Sequence, residues 1–354
     1  DDPGLTAYSL SDEKTFDITI GDRVLSEEIV SGGRVPVYSA NVYEEFGRID
    51  KENMKDYSRP SVIWGIDGDW MVNIIPAGVP FYPTDHCGVL RIKTEKILPE
   101  YMMYALQAEG EYERFSRNNR ASAQRIRSLV VQAPETKIQK NIIDELKALD
   151  DKINGQNAEI EKYENSIRTK FDQIFHLEEF ISDGVFSKYE GYSVEDLCID
   201  GRGRVINQQY IENHKGPYPV YSSQTTNDGI FGSIDTFDFD GEYITWTTDG
   251  AKAGTVFYRN GKFNCTNVCG TLKAKNDKVN MRYLAYLLNR IAYKFVSRVG
   301  NNKLMNDAMK KIVVPVPKRQ LQDEFADFVQ SVEKSKFECI GKKEKFEIEK
   351  DTFV

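Results

Sequence analysis

The sequence predicts an α+β fold in which two copies of one mixed α/β domain are each followed by a long helix. Three observations carry that prediction. The chain of 354 residues repeats itself at a shift of about 182 positions. Within each copy, short β-branched and aromatic runs lie between Gly, Asn and Asp turns, the mark of strands. After each copy comes a stretch without Pro in which apolar residues return at every seventh position. The copies occupy residues 1–134 and 181–317, and the helices 135–180 and 318–354.

The repeat is legible residue by residue. VPVYS at Val35 to Ser39 recurs as YPVYS at Tyr218 to Ser222, and FGxID at Phe46 to Asp50 recurs at Phe231 to Asp235. Val62 to Lys93 aligns without a gap on Ile244 to Lys275, with 9 identities in 32 positions; average composition gives roughly 2 by chance. Trp64, Asp67, Gly68, Cys87 and Gly88 thereby match Trp246, Asp249, Gly250, Cys269 and Gly270. Further on, YMMYAL faces YLAYLL, NNR (Asn118 to Arg120) faces NNK (Asn301 to Lys303), and LVVQAP faces IVVPVP.

The elements follow in order. SVIWG and GVLRIK in the first copy, and EYITW, GTVFY and GTLKAK in the second, read as strands. Tyr101 to Arg117 and Met281 to Ser297 carry apolar residues at three- and four-residue spacing and read as helices. A β-branched run ending in Pro134, or in Pro315 and Pro317, closes each copy. Beyond Pro134, Leu146, Ile153, Ile160, Ile167 and Ile174 form one column at sevens, and Ile142, Leu149 and Tyr163 a second. Beyond Pro317, Phe325, Val332, Cys339, Phe346 and Phe353 form a column, with a poorer second one at Leu321, Phe328, Ser335 and Lys342. Two such helices at matched places in a repeat are expected to pair with each other.

Composition narrows the class. With 40% hydrophobic and 12% aromatic residues the chain can build a core, which excludes a disordered chain. No apolar run approaches the ~20 residues of a membrane span. The first residues lack the basic and apolar regions of a signal peptide. They also lack an initiator Met, so the chain is expected to be processed or cut from something longer. Five Cys, odd and sparse, point to a reducing cytoplasm.

Motifs of catalysis are absent. There is no phosphate-binding GxxxxGK[ST], no nucleophile elbow GxSxG, and no [ND]PP[YF]-like turn of an adenine methyltransferase. His86, His176 and His214 are scattered, and the Cys265 and Cys269 pair has no second pair at zinc spacing. Asp67 and Asp249 each stand in an Asp-Gly turn, where Asp commonly bonds its own backbone. No catalytic or metal-binding residue is expected.

The charges are more telling than their sum. The net charge of −8 disfavours a simple basic coat, yet residues 181–317 carry 17 basic against 14 acidic groups. Two basic clusters occupy matched positions. Arg114, Arg117, Arg120, Arg125 and Arg127 form one; Lys294, Arg298, Lys303, Lys310 and Lys311 form the other. Each flanks an Asn-Asn pair, Asn118 with Asn119 and Asn301 with Asn302. Arg and Lys neutralise phosphates or reach guanine, and Asn reads adenine with two bonds, so the clusters are candidate DNA contacts.

The stretch TWTTDGAKAGTVFYRNGKFNCTNVCGTLKAKN, YPVYSS ahead of it and IVVPVPKRQLQDEF behind it resemble a Type I restriction–modification specificity subunit. The likeness covers nearly the whole chain. The first copy departs from it, with WGIDGDWMVNII in place of the Gly-rich run. The resemblance implies two target-recognition domains held by long antiparallel coiled-coil helices in a pseudo-twofold arrangement, each reading half of a split DNA target. It adds Thr248 and Lys252, from the Gly-rich run, to the residues expected to meet DNA, with Asn119 and Asn302 beside the basic side chains. It implies adenine-methyltransferase and restriction (translocase or nuclease) subunits as partners, which would carry S-adenosylmethionine, ATP and Mg; this chain would bind no cofactor itself. Two competing readings are the specificity portion of a single-chain restriction enzyme–methyltransferase, and a duplicated scaffold without a nucleic-acid role.

Overall fold

The computed structural model describes residues 4–175 and 189–352. Packing divides the chain into two compact units, one of Asp1–Asn157 with Gly341–Val354 and one of Ala158–Ile340. This division follows packing rather than the repeat, so it falls inside both long helices.

In the first unit, β1 (Thr6–Ser9) pairs antiparallel with β9 (Val130–Ala133), tying the start of the copy to its end. A four-stranded antiparallel sheet runs β2 (Phe16–Ile20), β8 (Cys87–Ile92), β5 (Ser61–Gly65), β6 (Val72–Ile75). A smaller sheet runs β4 (Gly47–Ile49), β3 (Val35–Tyr38), β7 (Tyr82–Pro83), with β3 and β7 parallel. The helix Pro99–Tyr112 buries Met102 and Leu106 against Trp64, Leu90 and Ile126.

The second unit repeats the plan. Here β10 (Gly191–Ser193) pairs with β17 (Val313–Pro315), and one sheet runs β11 (Cys198–Arg202), β16 (Cys269–Ala274), β14 (Phe239–Thr247), β15 (Val256–Cys265), β12 (Lys215–Tyr221), β13 (Ile230–Ile234). What β6 and β7 do separately, β15 does in one ten-residue strand. Pro76, Pro80 and Gly78, the last at φ 80°, interrupt the first copy at that point. A proline offers no N–H to a ladder, so the strand breaks there.

The gapless alignment of this region hides two compensating shifts. Trp64 pairs with Val72 and Trp246 with Val256, so the turn between them holds 7 residues in one copy (65–71) and 9 in the other (247–255). The two missing residues return in the broken arm, which restores the match at Phe81 and Phe263. The α-helices also end earlier than their spacing suggests, at Tyr112 and Ile291, the second continuing as a 3-10 turn over Ala292–Phe295. In the first copy Arg114 turns left-handed (φ 57°), and Phe115 folds back with its N–H on the Gly110 carbonyl at 2.9 Å. Burying Phe115 against Trp70 ends the helix.

The two long helices, Thr136–Phe175 and Arg319–Asp351, are antiparallel within each unit. In the first, Lys350 bonds Asp150 at 2.6 Å and Lys152 lies over the Phe346 ring. In the second, Lys170 bonds Glu324 at 2.8 Å and Lys336 bonds Glu164. Leu146, Leu149 and Ile167 are buried, while Ile153 and Ile160 are half-buried. The second column of Arg319–Asp351 lies one residue later than the sequence spacing placed it, at Gln322, Val329, Lys336, Lys343 and Lys350. Lysines occupy its last three positions and pair with carboxylates, so hydrophobicity alone could not reveal it. Phe353 and the stretch 176–180 fall outside the described residues. No helix among the described residues is long and apolar enough to cross a membrane.

Each long helix is joined to its repeat by a buried glutamine. The Gln139 amide donates to the carbonyls of Pro134 (2.7 Å) and Lys96 (2.8 Å), and its oxygen accepts from Leu98 N–H (2.8 Å). Gln322 does the same with Pro317 (2.7 Å), Lys278 (3.2 Å) and Asn280 N–H (2.7 Å). In both copies the glutamine thus fixes the start of a shorter helix, Pro99–Tyr112 or Met281–Ile291. Replacing Gln322 by Ala strands two carbonyls and one N–H in a partly buried joint, and should cost about 2 kcal/mol in urea denaturation. A loss below about 1 kcal/mol would mean that water serves the joint equally well.

Candidate nucleic-acid interface

The basic clusters become surfaces through a turn and a loop that meet in the same way in both units. Strand β5 gives way to Asp67 and Gly68, and β14 to Asp249 and Gly250. Both glycines take positive φ, 90° and 99°, which only glycine adopts without strain. Against each turn lies a loop closed on itself by paired backbone bonds. Ser116 and Asn119 exchange bonds of 3.0 and 2.9 Å; Ser297 and Lys303 exchange bonds of 2.8 and 3.0 Å. Loop and sheet are stitched by Ala121 N–H to the Ile66 carbonyl (3.1 Å) and by Leu304 N–H to the Thr248 carbonyl (2.9 Å).

The turn aspartates then anchor the basic side chains. Asp67 accepts from Arg120 Nε through one oxygen and from His86 Nδ1 through the other. Burial pushes its carboxyl up, but Arg120 and His86 outweigh this and hold it below its ordinary value of 3.8. Asp249 lies 3.5 Å from Lys303 Nζ and accepts from the Thr248 hydroxyl at 2.8 Å. Sequence reasoning assigned both aspartates to turn structure alone and left His86 aside. Their standing opposite the basic clusters was the one signal available, and only the fold brings the two segments together.

Apart from Arg120, Lys303 and Asn302, the predicted residues separate into three groups. Arg125, Asn119 and Arg127 build the first loop. Arg125 bonds the Asn119 carboxamide and the Arg120 carbonyl (3.1 Å), and lies 4.6 Å over the Phe115 ring. The Asn119 amide donates to the carbonyls of Glu113 (2.9 Å) and Arg114 (3.0 Å), and Arg127 reaches the Ile18 carbonyl (2.6 Å). Thr248 is fully buried under its turn, and Lys310 is committed to Asp307 at 3.2 Å, which raises its pKa. The third group is open to solvent. The side chains of Arg114, Arg117, Lys252, Lys294, Arg298 and Lys311 are exposed and make no ion pair among the described residues. Lys252 lies on the Asp249–Gly250 turn, and Gly254 of that turn packs on the segment Tyr293–Val296, next to Lys294. Half-buried Asn302 accepts from Gly250 N–H at 3.0 Å through its backbone carbonyl.

No group of three His, Cys, Asp or Glu that could hold a metal occurs among the described residues. Cys87, Cys198, Cys265, Cys269 and Cys339 are all buried as free thiols. The arrangement offers exposed cations on a rigid turn and loop, suited to polyanion binding rather than to bond making.

A family model described as Type I restriction modification DNA specificity domain matches residues 15–162 and 187–350. A type I specificity subunit of Mycoplasma pneumoniae is 39% identical over 212 residues, 59% of this chain and 77% of that protein. The type I restriction enzyme MpnII specificity subunit of the same organism is 48% identical over 147 residues, 41% of this chain and 44% of that protein. The crystal structure of a Type I restriction–modification S subunit from M. genitalium matches with a TM-score of 0.60 at 17% identity, covering 100% of this chain and 96% of that one, a likeness of fold.

The Asp67 anchor makes a pH prediction. Because its carboxyl lies below 3.8 in the folded protein, the stability it adds is present above that value and is lost as pH falls through the lowered one. Asp67→Asn should therefore be less stable than the parent at neutral pH. The gap should stay below about 1 kcal/mol, since the cluster is partly open to water, and should shrink below pH 3.8. Urea denaturation from pH 3 to 7 reads it; a gap of undiminished size at pH 3 would remove the carboxylate from this role.

Proposed function

The chain belongs to the Type I restriction–modification DNA specificity family, and from that premise we propose that each unit reads one half of a bipartite duplex target. The observation that carries this is the pair of matched surfaces, each with an aspartate-anchored basic side chain beside an Asn-Asn pair and free cations around it. The chain is the specificity component, and catalysis belongs to other subunits. Those partners are adenine-methyltransferase subunits and restriction subunits, and they bring S-adenosylmethionine, ATP and Mg. The complex works on DNA in the cytoplasm.

Arg114, Arg117 and Arg120 serve the first half-site, and Lys252, Lys294, Arg298, Lys303 and Lys311 the second. Arg125, Arg127, Asn119 and Thr248 act from behind by holding the loops, and Lys310 through its neighbours. Asn302 stands between the two groups, with its backbone carbonyl on the turn. The long helices set the separation of the half-sites. A helix of 40 residues is ~60 Å long, more than the ~34 Å of one duplex turn.

Two experiments bear on this. Changing Lys294, Arg298 and Lys311 together to Ala should weaken duplex binding and lower the slope of log affinity against log salt by about one unit for each phosphate no longer neutralised. An unchanged slope would place DNA elsewhere. Replacing 181–317 by the matching domain of a relative should alter one half of the methylated sequence in cells and leave the other half and the spacing as they were. A swap that changed both halves would show one composite reading surface in place of two readers.

A further inference from the structure

Strand β11 ends beside the basic loop of the second unit, and its last residue is Arg202. The strand end is held on both sides. Gly203 donates its N–H to the Cys269 carbonyl at 3.2 Å, and a Cβ on Gly203 would stand 2.1 Å from the Cys265 carbonyl oxygen. From the loop side, the Asn306 amide donates to the Asp200 carboxylate at 2.9 Å and to the Gly201 carbonyl at 3.1 Å. Arg202 pairs with Gly270, which pairs in turn with Trp246. Directly opposed residues of antiparallel strands share a face. Arg202 therefore stands on the face of Trp246, whose indole N–H reaches the Leu304 carbonyl, next to Lys303. The Arg202 side chain is exposed and makes no ion pair among the described residues. One guanidinium nitrogen donates to the Met305 sulfur at 3.5 Å. A thioether is a weak acceptor, so this contact steadies the side chain and leaves its other donors open.

The first unit builds the same strand end with a different side chain. Ile20 pairs with Gly88 as Arg202 pairs with Gly270. Gly21 donates its N–H to the Cys87 carbonyl at 3.2 Å, and a Cβ on it would stand 1.8 Å from the Pro83 carbonyl oxygen. Arg127 holds the strand from the loop side, through the Ile18 carbonyl at 2.6 Å. Ile20 is exposed. The backbone of this position is thus locked alike in both units, and the side chain it displays is exchanged.

That contrast separates two kinds of DNA contact. Phosphates are the same along every duplex, so contacts to them ask for a cation in both units, and the basic loops carry cations at matched places. A position that is cationic in one unit and aliphatic in the other fits a place where the two half-sites are told apart. We propose that Arg202 is a specificity-determining residue of the second half-site, and that its guanidinium reads a guanine through the O6 and N7 acceptors of the major groove. The planar fork of donors matches those two acceptors, and the locked strand end keeps the fork from yielding to another base. The inference rests on the half-site reading proposed above and deepens it by one residue.

The experiment sequences the methylated sites in cells that carry the whole system with the parent chain, Arg202→Ala or Arg202→Lys. A parent without a bipartite sequence would overturn both readings. In Arg202→Ala, one G·C pair of one half should relax to accept other bases, with the other half and the spacing unchanged. Lysine keeps the charge without the fork, so Arg202→Lys should relax the same pair. A methylated sequence that Arg202→Ala leaves intact, or methylation that falls evenly over all sites with every guanine still required, would overturn this proposal and leave the half-site reading standing. Should both variants abolish methylation, duplex binding by the parent decides, with each guanine of the half that belongs to 181–317 replaced in turn by 7-deazaguanine, which lacks the N7 acceptor. One replacement should weaken binding about tenfold; equal binding to all of them would overturn the proposal.

Discussion

Each unit is organised around one tryptophan that occupies the space a neighbouring residue gives up. Trp64 faces Gly88 across β5 and β8, and Trp246 faces Gly270 across β14 and β16. A Cβ on Gly88 would stand 2.1 Å from the Trp64 ring, and one on Gly270 would stand 2.3 Å from the Trp246 ring. With the indole held in that slot, its N–H has one place to go. It donates to the carbonyl of Ala121 at 2.8 Å, or of Leu304 at 2.9 Å. Those residues directly follow Arg120 and Lys303. The core thereby fixes the height of each basic loop, and a change at the glycine would be felt at the surface.

On that shared frame the two units display different chemistry. Asp67 holds a guanidinium and an imidazole; Asp249 holds an ammonium, and Val268 stands where the first unit has His86. A guanidinium presents a planar fork of donors, and an ammonium a compact point charge. The second unit adds a feature of its own. Arg259 is buried between the rings of Tyr221 and Phe257 and grips Asp228, holding the turn Asn227–Gly229. By the strand register its counterpart is Ile75, which cannot do this.

The parts of the fold that were legible in the sequence are those that repetition or periodicity writes twice. The duplicated strands and the first column of each long helix are of that kind. Gln139 and Gln322 escaped notice because a lone glutamine in a polar helix start has no pattern, although its three bonds set the joint. The second column of the last helix was misplaced by one residue because lysines fill its last three positions. At the candidate site, charge located the clusters but could not tell display from structure. Arg125 and Arg117 look alike in sequence, yet one is the brace of its loop and the other stands in solvent.

The compensating shifts between the copies have an evolutionary consequence. Between Trp64 and Phe81 the first copy is two residues shorter in the turn and two longer in the broken arm. In the first copy the arm leaves the ladder after Ile75 and rejoins it at Tyr82, so the two extra residues are absorbed in the loop around Pro76 and Pro80 and the pairing on either side is kept. The turn that carries Asp67 or Asp249 lies at the tip of this hairpin, outside the ladder, where drift in length is cheapest. Lineages can remodel the surface there while inheriting the scaffold unchanged.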